Sequence, residues 1–214
     1  MKRRSTIAAL LLLPSSWGSA PAQVNQIGPP TLFTGVAAGA QIEIATVTTT
    51  SGQAAIQFQA LGSYNNFRIL CGNLVTNSSA WVLLQFGTGG TPTYDTTSAN
   101  YVWSTTLMED GAGGFSDTSQ NANSLAGIGV INQPTSLSTG DVPGSFDMVL
   151  LGLPASQTKN IHWQAFGWLS GSGNVAYGGA GSYVQSTTIT AVQFKPSTGT
   201  FPAGATCTLF GLTT

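Results

Sequence analysis

Ionisable side chains are scarce in this chain. Lys, Arg, Asp and Glu together make up 6% of it, where soluble globular chains average about 25%. Three of the six cations, Lys2, Arg3 and Arg4, crowd the first four residues, leaving Arg68, Lys159 and Lys195 for all the rest. Phosphate neutralisation by Lys and Arg supplies most non-specific nucleic-acid affinity, so nucleic acid is excluded as a partner. There is one histidine, His162. One imidazole does not make a Ser–His–Asp triad without an exposed nucleophile and a supporting acid, and no Gly-x-Ser-x-Gly elbow is present. His162 reads instead as an outward-facing strand residue between Ile161 and Trp163. No apolar run approaches the roughly 20 residues that a membrane-spanning helix needs. After residue 30, no stretch holds a helical apolar period over three turns.

With so little charge, solubility rests on Ser, Thr, Asn, Gln and Gly. Such a surface suits neutral partners, among them glycans and other protein faces. Hydrophobic residues make up 42% of the chain, with five Trp and ten Phe. Disordered chains lack the apolar groups that offset ordering entropy, so a folded domain is expected despite 27 Gly.

The first residues differ in character from the remainder. A basic tip, Met1 to Arg4, precedes the short apolar run Ile7 to Leu13, then a small-residue tail with Ala20-Pro21-Ala22. That order is the pattern of a secretory signal peptide. The other reading is a retained arm that docks the domain onto a larger body. Val24 to Pro30, with Gly28-Pro29-Pro30, suits a linker or extended arm. Residues 1–32 are therefore read as the N-terminal segment, and 33–214 as one domain.

That domain is a run of short alternating segments. Ile42 and Ile44, then Ile56 and Phe58, then Phe67, Ile69 and Cys71, alternate with their neighbours at the period of two that a half-buried strand requires. Trp81 to Phe86 is apolar on both faces and reads as a central strand. Tyr101 to Trp103, Gly127 to Ile131, Phe146 to Leu153, Ile161 to Ala165, Tyr183-Val184, Ile189 to Phe194 and Cys207 to Leu212 continue the set. About ten strands separated by turn residues predict an all-β, antiparallel β-sandwich of jelly-roll type. Gly87 to Pro92, Asp110 to Ser116 and Gly171 to Gly181 read as loops.

Candidate chemistry is sparse. Glu109, Asp110 and Asp117 flank a glycine-rich stretch, but the spacing matches no EF-hand and offers too few oxygens for calcium. Glu43, Asp95, Glu109, Asp117, Asp141 and Asp147 are the acids from which a glycosidase pair would come, yet nothing in the sequence pairs any two of them. Asp95 and Asp141 sit where turns are expected. Asn77-Ser78-Ser79 is a glycosylation sequon by pattern. Cys71 and Cys207 read as small buried hydrophobes of a protein assembled in a reducing cytoplasm; the alternative is a bridge in an exported one. Most aromatics fall on strand alternation and belong to the core. Tyr94, Tyr177 and Tyr183, in or beside glycine-rich loops, are the exposed candidates for ligand binding. No catalytic residue, cofactor or metal is expected.

The last third carries a resemblance. Gly178-Gly179-Ala180-Gly181-Ser182-Tyr183, then Thr188-Ile189-Thr190-Ala191-Val192-Gln193-Phe194-Lys195-Pro196-Ser197-Thr198-Gly199, then Phe201-Pro202-Ala203-Gly204-Ala205-Thr206-Cys207-Thr208-Leu209-Phe210-Gly211-Leu212, resembles the closing hairpin of a β-sandwich module of tailed-bacteriophage virion proteins. Ser63 to Ile69 and Leu83 to Asp95 are similar to its early strands, so the resemblance covers about residues 33–214. It implies a non-enzymatic structural or adhesion protein of the virion, a head-fibre, tail-fibre or receptor-binding component. It also implies a homotrimer, docked to other virion proteins through the N-terminal segment and contacting a host-surface glycan. The family has no shared catalytic residues. The signal-like N-terminus departs from its usual attachment domain and keeps an alternative open: a secreted bacterial lectin or adhesin with a cleaved signal.

Overall fold

A computed structural model of the chain describes residues 40–77, 80–111, 114–122, 125–133, 142–153, 157–169 and 173–213. The readings of the N-terminal segment and of Asp141 lie outside these residues. Thirteen strands are described. In chain order they are β1 (Gln41–Thr48), β2 (Ile56–Gln59), β3 (Asn66–Gly72), β4 (Ala80–Thr88), the short β5 (Thr93–Tyr94) and β6 (Tyr101–Gly111). Then come β7 (Gly114–Ala122), β8 (Ile128–Gln133), β9 (Val142–Leu151), β10 (Lys159–Leu169), β11 (Gly173–Tyr183), β12 (Ala191–Pro196) and β13 (Thr206–Leu212).

The strands form two antiparallel sheets packed as a sandwich. One runs β1-β13-β3-β9-β10-β11-β6-β7; the other runs β2-β12-β4-β5, with β8 also on β4. Eight of these strands, taken as β1-β13-β3-β9 over β2-β12-β4-β8, have the interleaved order of a jelly roll. The other five are insertions. Strands β5 to β7 lie between β4 and β8, and β10 and β11 between β9 and β12. The two insertions pair with each other, β11 against β6, and lengthen one sheet.

Alternation explains the core. Ile56 and Phe58 face inward while Gln57 and Gln59 face out, and Phe67, Ile69 and Cys71 do the same on β3. Strand β4 is flanked on both sides and nearly all buried, as its apolar run predicts. The expectation of a loop over Gly171 to Gly181 is corrected: Gly173–Tyr183 is a strand of 11 residues. Its glycines are packing partners. A Cβ at Gly179 would collide with the Trp163 indole, and one at Gly181 would press on Trp103 and Ile128. The described residues of the stretch read as a loop over Asp110 to Ser116 are likewise strand, Asp110 and Gly111 ending β6 and Gly114 to Ser116 beginning β7, with Asp110 paired to Phe115.

The cysteine reading is corrected too. Cys71 and Cys207 form a disulfide. The two residues stand directly opposite each other on β3 and β13, both side chains inward and buried, so register alone brings the sulfurs together. The bridge joins residues 136 apart. Closing a loop of that size removes unfolded-state entropy on the order of 4–5 kcal/mol. Replacing both cysteines by alanine is therefore expected to lower stability by about 3–5 kcal/mol, read from urea unfolding. Reductant should shift the wild-type midpoint in the same direction and leave the double variant where it is.

Candidate functional site

The three tyrosines singled out as exposed fall in different places. Tyr177 and Tyr183 are only 5% and 2% exposed, contrary to expectation. The reason is the strand identity of Gly173–Tyr183, whose alternation turns Val175, Tyr177 and Tyr183 inward. Tyr94 is half-buried and lies flat on the outer face of the smaller sheet, its ring over Gly87. Its hydroxyl is covered and within reach of Gln59, but out of hydrogen-bonding geometry. Burial pushes this phenol up, with Gln59 offsetting part of the effect.

Tyr183 belongs instead to a polar knot centred on Asp95. Its hydroxyl donates to Asp95 Oδ2 at 2.9 Å, and Asn100 Nδ2 donates to the same oxygen at 2.6 Å. The backbone N–H of Thr97 donates to Oδ1 at 2.8 Å. Tyr101 donates to the Asp95 carbonyl at 2.8 Å, and its ring stacks on Phe86. Gln185 Nε2 donates to Asn100 Oδ1 at 2.6 Å. Nearby, the covered though shallow Lys159 donates to the carbonyls of Gln157 at 2.6 Å and Gln185 at 3.0 Å. Burial pulls the Lys159 ammonium below its ordinary range.

The turn role expected of Asp95 holds, and the knot adds a second role. Partial burial alone would raise the Asp95 carboxyl. The hydrogen bonds from Thr97, Asn100 and Tyr183 outweigh it and hold the group below the ordinary carboxylate value. Tyr183 moves the other way, pushed up to about 12 by burial first and by the Asp95 carboxylate second.

A second network crosses the outer face of the smaller sheet. Gln57 Nε2 donates to Gln193 Oε1 at 2.9 Å, Gln193 Nε2 to Gln85 Oε1 at 2.6 Å, and Gln85 Nε2 to the Ala126 carbonyl. Gln59 Nε2 joins the outer end, donating to Gln57 Oε1 at 3.3 Å. A backbone carbonyl only accepts. Ala126 therefore fixes which way the Gln85 amide points, and that orientation passes strand by strand to Gln59.

The remaining described acids are held separately. Asp147 accepts from Arg68 Nε at 2.9 Å and from Arg68 Nη2 at 2.6 Å, across the outer face of β3 and β9. Glu43 accepts from Thr46. The side chains of Glu109, Asp110 and Asp117 lie outside the described residues. Among the described residues, no group of three or more His, Cys, Asp or Glu is placed to hold a metal ion, and no helix is long and apolar enough to cross a membrane. His162 sits on the outer face of β10, as expected. The sequon residue Asn77 is exposed, with its amide engaged by Thr200 through two bonds of 2.8 Å. Compared with protein-family models, curated proteins and solved structures, the chain matches none.

Two outcomes follow. In the folded chain Asp95 titrates lower than in the unfolded chain. Its stabilisation is therefore complete above the ordinary carboxylate range and is lost as pH falls through the folded value. Tyr183 is the reverse: its stabilisation is complete below its ordinary 10.0 and is lost as pH rises from there through about 12. Asp95→Asn should flatten the acid limb of urea midpoint against pH, and Tyr183→Phe should reduce the alkaline loss. In the amide chain, Gln193→Leu strands the buried Gln85 on one side, while the exposed Gln57 on the other turns to water, and should lower stability by about 1–3 kcal/mol; Gln59→Leu at the exposed end changes it by less than about 0.5 kcal/mol.

Proposed function

We propose that this chain is a non-enzymatic structural and adhesion protein of a tailed-phage virion, a fibre or receptor-binding component that presents its β-sandwich to the host surface. The observation that carries the reading is the closing pair of strands. Two of the segments that resemble the phage module, Thr188 to Gly199 and Phe201 to Leu212, supply β12 and β13. Those strands sit inside both sheets. The resemblance thus falls on a framework element rather than on a loop. The surface chemistry agrees with adhesion to neutral groups. The described acids Asp95 and Asp147 are tied into hydrogen-bond networks, and the outer faces are dressed in amides, hydroxyls and small residues. In this setting residues 1–32 dock the domain to other virion proteins, and the sandwich meets its own kind or a host glycan.

One observation favours a second reading, a secreted bacterial lectin or adhesin. Disulfides form and persist in oxidising compartments, and Cys71 and Cys207 are bridged. The two readings part on the intact mass of the protein from its natural source under non-reducing conditions. A virion component is found in purified particles with residues 1–22 retained, and the added chain competes with particles for host cells. A secreted adhesin is found in the medium, lighter by residues 1–22.

A further inference from the structure

Register lays two unlike rows side by side on the outer face of the smaller sheet. The first is Tyr94, Gly87, Ala191 and Gln59, each opposite the next across β5, β4, β12 and β2. The second, two residues along, is Gln85, Gln193 and Gln57. The small residues of the first row let the tyrosine lie down. A Cβ at Gly87 would come within 3.0 Å of the Tyr94 ring and 3.2 Å of the Ala191 Cβ. Ala191 points outward like Gly87, yet it is fully covered. The tyrosine hydroxyl, at the Gln59 end of the row, is covered as well. The exposure that Tyr94 keeps therefore belongs to its ring carbons: one face rests on the sheet and the other looks outward.

A ring in this position is a rigid apolar plate whose electron-rich face attracts C–H groups. Beside it stand amides whose directions are already set. The chain that starts at the Ala126 carbonyl runs through Gln85, Gln193 and Gln57 by successive donations and ends at Gln59. Every amide donates toward Ala126. The group left at the outer end is thus the Gln59 carbonyl oxygen, an acceptor on an exposed side chain. An acceptor already oriented lowers the ordering cost of binding.

Charge decides between ligand classes. Lys195 is the one formally charged side chain on this face among the described residues. It stands four residues beyond Ala191 on β12, about 13 Å away. Asp95, the residue after Tyr94, is taken up by its own knot. An ionic ligand therefore meets no counter-charge at the ring. A neutral pyranose has the matching pattern: a face of C–H groups for the plate and a rim of hydroxyls to donate to a carbonyl. Tyrosine makes such contacts at little conformational cost.

We propose that Tyr94 and Gln59 form a platform for a neutral pyranose unit of a glycan, which stacks on the ring and donates a hydroxyl to Gln59. The proposal rests on the adhesive reading above and gives it a site. Saturation-transfer NMR on the full-length chain tests it. The neutral probes are maltohexaose, mannohexaose and N-acetylchitohexaose, and the acidic one is polygalacturonate. At least one neutral probe is expected to receive saturation on its ring C–H protons. Tyr94→Ala should weaken that binding at least about tenfold, and Tyr94→Phe by less than about threefold, since the ring and not the hydroxyl makes the contact. Gln59→Leu should weaken it about three- to tenfold. Urea midpoints show that each variant folds. Binding of no neutral probe, preference for the acidic one, or a neutral probe held equally by Tyr94→Ala overturns the proposal. Binding of the labelled chain to host cells separates the site from the reading it rests on. Cells bound equally by wild type and Tyr94→Ala overturn the site and keep the adhesive reading. A wild type that binds no cell, yet holds a neutral probe through Tyr94, keeps the site and overturns the adhesive reading.

Discussion

The pairing of β11 with β6 is the contact on which both insertions into the sandwich depend. An eight-stranded jelly roll closes on itself. Two long insertions do not, because each arrives with an apolar face and an unpaired backbone edge. Here Val175 to Tyr183 pairs with Tyr101 to Glu109 along its whole length. The pairing satisfies both edges at once and makes one continuous inner face from Trp163, Tyr177 and Trp103. The Asp95 knot sits where both insertions meet the body. Asp95 and Asn100 belong to the first insertion, while Tyr183 and Gln185 close the second. A carboxylate accepting several hydrogen bonds is a strong tie, and this one joins chain segments 88 residues apart.

Scarcity of charge shapes the polar chemistry elsewhere. Buried polar groups must be hydrogen-bonded or they destabilise the fold. Without ions to hand, the smaller sheet meets this demand with amides. Gln85 and Gln193 are buried on an outer face because each is both donor and acceptor within one oriented chain. An amide can relay in this way; a carboxylate or an ammonium, each limited to one role when charged, cannot. The same economy applies to Lys159, whose ammonium is held by backbone carbonyls at 2.6 and 3.0 Å.

Much of the framework was legible in the sequence. Period-two alternation placed β1, β2, β3 and β10, the two-sided apolar run placed β4 inside its sheet, and further apolar segments placed β9 and β13. Turn chemistry located Asp95. What misled was glycine. In Gly173–Tyr183 the glycines read as loop residues, but Gly179 and Gly181 are small because Trp163 and Trp103 need the space. That need arises across strands and leaves no local trace. The same error exposed Tyr177 and Tyr183 on paper and buried them in the fold. Strand β7 was missed because Gly114–Ala122 has no apolar alternation, Ser116 to Asn121 being polar throughout; its place comes from pairing with β6, not from its own pattern. The cysteine pair was undecidable for a related reason. Both residues show inward strand alternation, but only the β3–β13 register sets them face to face.

That bridge also bears on how the insertions are tolerated. The loop it closes contains every strand from β4 to β12, both insertions included. Loop-closure entropy grows only logarithmically with length, about 0.6 kcal/mol per doubling. Strands added inside the bridged loop therefore change its closure entropy little. What they must do is satisfy one another, and the β11–β6 pairing achieves this. The jelly roll and its bridge then act as a scaffold that accepts new strands, and the strands it has accepted lengthen one sheet and give it a second outer surface. Function resides in surfaces placed on folds rather than in the folds themselves. In this chain that argument points away from the jelly-roll core and toward the surfaces that the inserted strands, β5 among them, bring to it.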